Sequence, residues 1–565
     1  MKSLIIAILL LTAVVSVAFG QLPTCYHTYD EIVALMNNYE AQYPDQAKVH
    51  LLGYSQEDQI PIYGIKISNN VLLDQDQPSV LFVGQVHAEE VLGVEITLSN
   101  IKEILQNSSQ NPYNVWLAQL EMWFVPTLNP EGHNVVTSNM DTSFRKNKRD
   151  NNGNGIFDFS PLVGYDIDGV DINRNFGYNW VHGDTLMQPG GLEYYDYYRG
   201  PAPMSESEVQ AIQQLSEQKK FTYSICWHSS RTGNLSEKIY YSFNWKEVRP
   251  SPDVAFAQSI AQGVASQIMN EAGTANYEFL PNLGRKGNFH DWMYQQYGTI
   301  QLLIEVGTSN LQPDSLLMVN TIQRASNGVR WLLNRALPFS TAVNSNSMLT
   351  GLVQDADNNQ PLEAEIIVEQ RHAPWFRPRM SKPETGRYYR PIAPGTFSVR
   401  ARKKGYYDTY HPQVVVNANA ITPRNIAMQA RPPATLSGWV RSSGQAIPAQ
   451  IILHDIDPDT LAVNGNFVLN TYQHDSIKIE ITAEGYFPYI DFITINPGVN
   501  TLYVDLSQAN DIFSENWENG VSNWLIEGPW VLQNELSASG YAITDSWGGK
   551  GLYAMNCDVH IQTAS

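Results

Sequence analysis

Cysteine is scarce in this chain. Only Cys25, Cys226 and Cys557 occur among its 565 residues. So few cysteines, in odd number and far apart, exclude a disulfide framework and a cysteine-rich zinc site. The fold must therefore rest on packing, for which hydrophobic residues at 43% and aromatic residues at 11% are sufficient.

Basic residues are also few compared with acidic ones. There are 36 lysines and arginines against 56 aspartates and glutamates, which gives a formal net charge of −20. This excess repels a phosphate backbone and argues against nucleic acid as a partner. It fits a soluble extracellular protein.

Long apolar runs are missing after the first 20 residues. A basic start at Lys2 precedes an apolar run over residues 4–19, and Gly20 closes that run. This order predicts a signal peptide at residues 1–20, with a membrane anchor as the alternative. Because the run is short for a bilayer span, we expect a secreted protein with no transmembrane anchor in its mature chain.

Residues 21–340 alternate apolar strand candidates with amphipathic helix candidates. The alternation predicts an α/β domain with a mixed sheet covered by helices on both faces. Ser205 and Glu208 have capping-box spacing and predict the start of one helix. A last helix is predicted at about residues 315–333, and the strand candidates are residues 79–84, 121–125, 221–227 and 299–306.

After residue 340 short β-type runs replace this alternation, and two segments share a layout. Gly351 and Gly405 of residues 345–431 correspond to Gly438 and Gly485 of residues 432–508. We interpret the two segments as an internal repeat of small all-β sandwiches that resemble transthyretin-like domains. They could bind a surface or a polymer.

Residues 509–565 contain tryptophans among Gly, Ser and Asn. They resemble the first strands of a jelly-roll module. About 55 residues is short for a whole module of this kind, so we expect the chain to stop inside that domain.

The first candidate metal ligands follow the strand candidate at residues 79–84. His87 and Glu90 lie three residues apart and can reach one ion from the same side. A hydrolytic zinc site uses imidazole and carboxylate ligands, three in number, and keeps one position open. Such a pair is weak evidence by itself because it often arises by chance.

Two further candidates end other predicted strands. His228 follows residues 221–227, and Glu305 lies near the end of residues 299–306. Functional groups gather at the carboxyl ends of strands in open α/β sheets, so His228 can supply a third ligand. A carboxylate that closes an apolar strand is costly unless it faces a site, and near a metal ion Glu305 would be a general base.

Three polar residues complete the candidate site. Arg174 offers a planar fork that can bind a carboxylate, and Asn173 adds amide donors beside it. Arg145 is a further cation upstream. Each arginine alone could equally be a solvated surface charge.

The order and spacing of these motifs resemble the zinc metallocarboxypeptidase family over about residues 24–338. The resemblance implies that His87, Glu90 and His228 bind one Zn²⁺ and that Glu305 is the general base. It implies that Arg145 stabilises the oxyanion. It also implies that Asn173 and Arg174 hold the terminal carboxylate of a peptide or protein, so the expected activity is release of single C-terminal residues.

Two positions depart from the family pattern. Glu89 replaces a common arginine, and Leu283 stands where the family has a mobile tyrosine, for which Tyr277 is a possible substitute. His290 occupies the position that lines the side-chain pocket in the family. It is not the acidic residue of an enzyme for basic C-termini, so neutral or mixed residues are favoured, although the transthyretin-like segments resemble enzymes that prefer basic ones.

A polar loop follows Arg149 and resembles the start of a calcium-binding loop. Its candidate Ca²⁺ ligands are Asp150, Asn152, Asn154 and Asp158. The glutamate that would complete such a loop is replaced by Pro161, so a plain polar turn is the alternative.

Two other functions stay open. The departures at Glu89 and Leu283 allow a catalytically impaired zinc protein that binds peptides. Hydrolysis of an amide in cell-wall peptides is a third possibility.

Overall fold

A computed structural model describes most of the chain. The described residues are 21–161, 166–180, 196–245, 249–284, 286–337, 347–456 and 459–509, with four short strands beyond residue 523. The predicted signal peptide at residues 1–20 lies outside them. No helix in these described parts is both long enough and apolar enough to span a membrane.

Residues 21–337 form an α/β domain around one eight-stranded sheet with the order β1-β2-β4-β3-β5-β10-β6-β9. Its centre is parallel: β3 pairs with β4 and β5, and β5 pairs with β10. The β1–β2, β2–β4 and β10–β6 pairs are antiparallel, so the sheet is mixed. The strands are β1 (Ala47–Tyr54), β2 (Pro61–Ile67), β3 (Ser79–Val83), β4 (Glu121–Val125), β5 (Tyr223–His228), β6 (Lys238–Tyr241), β7 (Asn244–Trp245), β8 (Arg249–Pro250), β9 (Glu278–Pro281) and β10 (Ile300–Glu305).

Eight helices accompany these strands in the described part of the domain, and they cover both faces of the sheet. Along β3, Val80 and Phe82 enter one buried cluster, while Leu81 and Val83 enter the other. This alternation follows from the two-residue period of a strand. The helices are α1 (Tyr29–Gln42), α2 (Leu92–Gln106), α3 (Tyr113–Gln119), α4 (Pro130–Thr137), α5 (Ser207–Lys219), α6 (Val254–Ala265), α7 (Phe289–Tyr297) and α8 (Ser315–Ala336).

The α/β prediction is confirmed, but the predicted capping box is wrong. α5 begins at Ser207, and Glu206 at its N-cap makes no capping hydrogen bond. The Ser205 hydroxyl donates to Glu206 Oε1 and accepts from Asn175 Nδ2. The Ser205 hydroxyl, which a local N-cap would use, is thus engaged in other hydrogen bonds.

Residues 347–403 and 407–429 form two four-stranded sheets that group with the α/β domain in one compact unit. Phe376 packs in the larger core cluster of that domain, with its ring 5.0 Å from the ring of Tyr294. Buried Asp253 pairs with Arg390 and Arg371. The strands are β11 (Met348–Asp355), β12 (Glu365–Val368), β13 (Arg379–Met380), β14 (Arg387–Pro391), β15 (Gly395–Arg402), β16 (Thr409–Val416), β17 (Ile421–Pro423) and β18 (Ile426–Met428).

The second compact unit contains residues 404–406 and 430–565. Its described core lies within eight hydrogen-bonded strands and is rich in isoleucine, leucine and valine. These strands are β19 (Pro433–Ser442), β20 (Gln445–Ala446), β21 (Pro448–Leu453), β22 (Thr460–Asn464), β23 (Asn466–Tyr472), β24 (His474–Thr482), β25 (Tyr489–Ile495) and β26 (Gly498–Asp505).

The predicted jelly-roll segment lies mostly outside the described residues. Four strands are described there and form two antiparallel pairs, β27 with β30 and β28 with β29. They are β27 (Trp524–Glu527), β28 (Val531–Gln533), β29 (Ala542–Thr544) and β30 (His560–Thr563).

Candidate metal centre

The turn after β3 carries His87 and Glu90 and depends on two glycines. A Cβ added to Gly84 would lie 2.8 Å from Gly93 O, and one added to Gly93 would lie 1.8 Å from Gly84 O. The end of β3 and the start of α2 therefore approach each other more closely than side chains allow. The Ala88 amide also donates to Arg145 O, at 2.9 Å, and fixes the turn from the other side.

His228 and Glu305 end the neighbouring parallel strands β5 and β10. They are direct partners in the register of the two strands, and the Val306 amide donates to His228 O at 2.7 Å. Neighbouring residues in register point to the same face of a sheet. Both side chains therefore leave the same edge of the sheet, beside the turn that carries His87.

Three side chains converge at this edge. Candidate ligand atoms of His87, Glu90 and His228 all lie within 4.8 Å of one another, and all three residues are buried. Nδ1 of His228 is 3.1 Å from Nδ1 of His87 and 2.9 Å from Glu90 Oε2. Nδ1 of His87 is 2.8 Å from Glu90 Oε1.

This donor set fits zinc. Two imidazole nitrogens and a carboxylate are ligands that zinc takes in hydrolytic sites. The outer nitrogen of His87, Nε2, lies 3.1 Å from Asp171 Oδ1, and such an outer carboxylate is usual behind a metal-binding histidine. Nε2 of His228 lies 3.4 Å from Cys226 Sγ. Both imidazoles thus present Nδ1 to the same point.

Electrostatics keeps the carboxylate of the group ionised. Burial raises the pKa of Glu90, but the positive charges and hydrogen bonds of His87 and His228 outweigh burial and leave the pKa below its ordinary value. Burial lowers the pKa of His228. Glu90 therefore favours its ionised form and His228 its neutral form, which are the forms that bind a metal. Burial lowers the pKa of His87, but Glu90 and Asp171 outweigh burial and leave that pKa raised.

Glu305 has the opposite tendency. Burial, and then the negative charge of Glu90, raise the pKa of Glu305 to about 8. Its Oε2 atom is buried and has no hydrogen-bond partner among the described residues. A carboxylate with a raised pKa and a vacant oxygen can accept a proton near neutral pH.

Arg145 faces the metal ligands and is held by Asp171. Its Nε donates to Asp171 Oδ2 at 3.1 Å, and its NH1 donates to Glu90 Oε1 at 3.3 Å. The guanidinium also lies over the ring of Tyr197, 5.1 Å from its centroid. Burial lowers the pKa of Arg145, but the charges of Asp171, Glu89 and Glu90 outweigh burial and raise it.

Asn173 and Arg174 lie beside the start of α7. Asn173 Oδ1 accepts from the Phe289 amide at 2.9 Å, and Asn173 O accepts from Asn288 Nδ2 at 3.0 Å. Arg174 lies over the same Tyr197 ring, at 5.5 Å, and its buried Nε has no hydrogen-bond partner among the described residues. A ligand carboxylate is a suitable partner for that donor.

Glu89 forms an ion pair with Arg231, an arginine that sequence reasoning missed. Glu89 Oε1 lies 3.0 Å from Arg231 NH2 and 3.7 Å from Arg145 NH1. Arg231 NH1 also donates to Asp196 Oδ2 at 2.6 Å. A buried carboxylate replaces the arginine of the family pattern, and an arginine from the segment after β5 lies beside it. Burial outweighs Arg231 and Arg145 and raises the pKa of Glu89 to about 7.

Tyr277 packs in the core, whereas Leu283 lies at the surface. Tyr277 is buried in the larger core cluster, where its hydroxyl accepts from the Gly307 amide at 3.3 Å. Leu283 is 53% exposed. The hydroxyl of Tyr277 bonds Gly307, and no hydrogen bond among the described residues joins it to the three candidate ligands, so its substrate-binding role has no structural support.

The predicted calcium loop is occupied by its own hydrogen bonds. Both oxygens of Asp150 accept backbone amides, those of Gly153 and Gly155 at 2.7 Å each. Asp158 Oδ2 accepts from the side-chain amides of Asn152 and Asn154, also at 2.7 Å. These contacts describe a polar turn, and they give calcium no support.

Asp171, Tyr197 and Arg231 are the functional neighbours that the sequence did not reveal. Asp171 lies two residues before Asn173 and three before Arg174, and this nearness is its one signal in the sequence. Its pairing with His87 depends on the tertiary fold.

A family model described as zinc carboxypeptidase matches residues 32–325, slightly more than half of the chain. The chain is 24% identical to a zinc carboxypeptidase of Saccharothrix mutabilis subsp. capreolus, over 55% of this chain and 69% of that protein. It is 28% identical to carboxypeptidase B of Astacus astacus, over 34% of this chain and 55% of that protein.

A solved structure of similar fold is carboxypeptidase A from Helicoverpa armigera. Its TM-score is 0.46 at 20% identity, and the match covers 55% of this chain and 73% of that chain. The chain thus spans between about half and three quarters of these proteins.

Proposed function

Because the chain belongs to the zinc carboxypeptidase family, we propose that it is a secreted exopeptidase that removes single residues from the C-termini of peptides and proteins. The observation that carries the proposal is the convergence of His87, Glu90 and His228 beside Glu305. His87, Glu90 and His228 would hold one zinc ion. When bound, zinc lowers the pKa of water and polarises a carbonyl oxygen.

Glu305 is the general base in this proposal. Its vacant Oε2 accepts a proton from the attacking water and afterwards donates it to the nitrogen of the leaving amino acid. The pKa of about 8, raised by burial and by Glu90, makes both transfers accessible near neutral pH.

Arg145 and Arg174 have separate roles. Arg145, fixed by Asp171 and Tyr197, places positive charge where the oxyanion of the scissile carbonyl develops. Arg174 and Asn173 bind the free carboxylate of the substrate. An internal peptide bond has no such carboxylate to offer, so this contact makes the enzyme an exopeptidase.

Secretion and the β-sandwich domains belong to the same proposal. Residues 1–20 support secretion by their sequence alone. Matching glycines support a repeat. A Cβ atom on Gly351 or on Gly438 would lie within 2 Å of a backbone carbonyl oxygen of a neighbouring segment. Gly405 and Gly485 also share a positive φ, of +83° and +79°. We assign residues 345–431 and 432–508 to two transthyretin-like domains. Calcium at the 150–158 loop stays a prediction.

The test is a set of linear peptides that differ only in the last residue, with products identified by mass spectrometry. We expect single C-terminal residues, loss of activity with a chelator and recovery with zinc. Glu305→Gln should retain zinc and lose activity about 10²–10⁴-fold, the usual contribution of a general base.

Three results would contradict this. Products that are only internal fragments would exclude an exopeptidase. Saturable peptide binding without any product would favour the impaired binding protein. Release from muropeptides but not from linear peptides would favour the cell-wall amidase.

A further inference from the structure

Tyr223 carries a buried hydroxyl that has no hydrogen-bond partner among the described residues. Its side chain is 0% exposed, and the residue begins strand β5, which ends at His228. The rise of a β-strand places roughly 16 Å between the Cα atoms of these two residues. Tyr223 therefore lies at the opposite edge of the sheet from the candidate metal ligands. A buried hydroxyl is costly unless another group satisfies it.

Arg379 of β13 brings a second buried donor to the start of β5. It is 2% exposed, and its Nε has no hydrogen-bond partner among the described residues. Its NH1 and NH2 donate to Phe221 O, two residues before Tyr223, at 3.0 and 2.7 Å. The charged or ionisable groups that act on Arg379 are Arg390 and Tyr223, and no carboxylate of the described residues is among them.

Two further buried arginines lie near the Tyr223 ring. Arg390 of β14 forms an ion pair with Asp253, and Arg371 pairs with the other oxygen of that carboxylate. The guanidinium of Arg335, in α8, lies 5.8 Å from the centroid of the Tyr223 ring. Because both oxygens of Asp253 are already paired, this carboxylate is not available to a further cation.

The region around Tyr223 is therefore positively charged. Burial raises the pKa of Tyr223, and the positive charges of Arg335, Arg379 and Arg390 oppose that rise. Burial, and then the charge of Arg390, lower the pKa of Arg379 to about 9. The Tyr223 hydroxyl and the Arg379 guanidinium both keep their protons near neutral pH. A buried cation without a counter-charge is costly.

We propose that the Tyr223 hydroxyl and Arg379 Nε bind a small monovalent anion, chloride, where β13 packs against the start of β5. An O–H donor, an N–H donor and an unbalanced guanidinium charge are suitable partners for a halide, and the same charge repels a cation. A larger anion such as phosphate does not fit, because both side chains are at most 2% exposed in a close-packed interior.

A water molecule is the alternative partner for these two donors. It would accept both hydrogen bonds but would leave the charge of Arg379 unbalanced. The anion site lies apart from the metal centre and does not depend on the proposed function.

The experiment follows thermal unfolding of the full zinc-loaded chain in sodium chloride and in sodium gluconate at equal ionic strength. Chloride that binds only the folded chain should raise the Tm by about 2 °C for each tenfold increase above its dissociation constant. Gluconate is too large for the site and should not raise it. Equal melting temperatures in the two salts would overturn the proposal in favour of water.

Three variants locate the effect. Tyr223→Phe keeps the ring and removes the hydroxyl, so the dissociation constant fitted from the chloride dependence should rise about ten- to a hundred-fold. Arg379→Met should abolish the difference between chloride and gluconate, even if its Tm is lower in both salts. Tyr26→Phe is the matched control, because the buried Tyr26 hydroxyl donates to Pro313 O instead, and it should keep the wild-type chloride dependence.

An unchanged chloride dependence in Tyr223→Phe would overturn the assignment of the site. Crystals soaked in sodium bromide give a second, direct readout, since bromide replaces chloride and scatters anomalously. We expect one anomalous peak between the Tyr223 hydroxyl and Arg379 Nε, and the absence of a peak there would overturn the proposal. Neither readout involves peptide hydrolysis, so an inactive protein with this peak would contradict the exopeptidase and support the anion site.

Discussion

Asp171 connects the candidate metal ligands to the candidate substrate-binding residues. Its two oxygens each lie 3.1 Å from one partner, His87 Nε2 and Arg145 Nε, and Arg174 NH1 lies 4.0 Å away. Burial raises the pKa of Asp171, but Arg145, Arg174 and His87 outweigh burial and hold that pKa well below its ordinary range. An ionised carboxylate at this point fixes His87 so that Nδ1 faces the metal position.

Asp171→Asn tests this connection. The amide keeps the shape but loses the charge, so zinc affinity should fall about 10–100-fold, as is usual when the outer partner of a metal-binding histidine is changed. Competition with a chelating dye measures the affinity. Asp58→Asn, which affects only the ion pair with Lys148, is the control and should bind zinc like wild type. Equal zinc affinity in Asp171→Asn would remove Asp171 from this role.

Because His133 is buried, we expect the free energy of unfolding to fall in acid. Burial lowers the pKa of His133 from 6.5 to about 4 in the folded protein. Below pH 6.5 the unfolded chain gains a proton that the folded chain does not, so the free energy of unfolding falls between pH 6.5 and 4, by up to about 3 kcal/mol in total.

Thermal unfolding of wild type and His133→Gln at pH 7 and pH 4.5 measures this effect. The melting temperature should drop less in the variant on acidification, whereas His454→Gln should behave as wild type. An equal drop in His133→Gln and wild type would show that His133 does not titrate in this way.

At the scale of elements, the parallel strands could be predicted and the ionic partners could not. The strands β3, β5 and β10 are short, apolar and buried on both faces, so their composition identifies them as strands of a parallel sheet. Their carboxyl ends meet at one edge, and this brings together His87, His228 and Glu305. The Arg231–Glu89 pair joins segments about 140 residues apart, and a local sequence pattern does not indicate such a contact. The predicted capping box failed for the same reason, because the Ser205 hydroxyl accepts a hydrogen bond from the side chain of Asn175, which is distant in sequence.

Arg379 of strand β13 should contribute measurably to the free energy of unfolding. This arginine is 2% exposed, and its guanidinium donates to Phe221 O at 2.7 Å and Tyr297 O at 3.2 Å. Arg379→Ala leaves both carbonyl oxygens without this donor, so the free energy of unfolding should fall by about 3 kcal/mol. Denaturant unfolding measures the change. Arg402→Ala removes an exposed pair with Asp408 and should cost less than about 1 kcal/mol. Equal costs for the two variants would contradict this account of β13.

At the scale of the molecule, residues 347–429 complete the α/β domain. The composition of the sequence changes near residue 340, and the first compact unit nevertheless continues to residue 429. Composition does not show that Phe376 enters the core or that Arg390 pairs with buried Asp253. A catalytic domain cut at that boundary would lose both contacts. Loss of the buried Phe376 side chain alone should cost roughly 1.5–3 kcal/mol.

Two shortened chains test this dependence. A chain of residues 21–337 should melt about 5 °C below a chain of residues 21–429, given the cost of the lost contacts. The longer chain should bind zinc as the full chain does. Equal melting temperatures for the two shortened chains would show that the β-region does not stabilise the α/β domain.

The number of zinc ions per chain, measured after dialysis by plasma mass spectrometry, tests the central claim most directly. Wild type and Glu305→Gln should each retain about one zinc per chain, because the proposal assigns Glu305 as a base and not as a ligand. His228→Ala, dialysed in the same buffer, should retain almost none. Full zinc in His228→Ala, or its loss from Glu305→Gln, would contradict the assignment of the site.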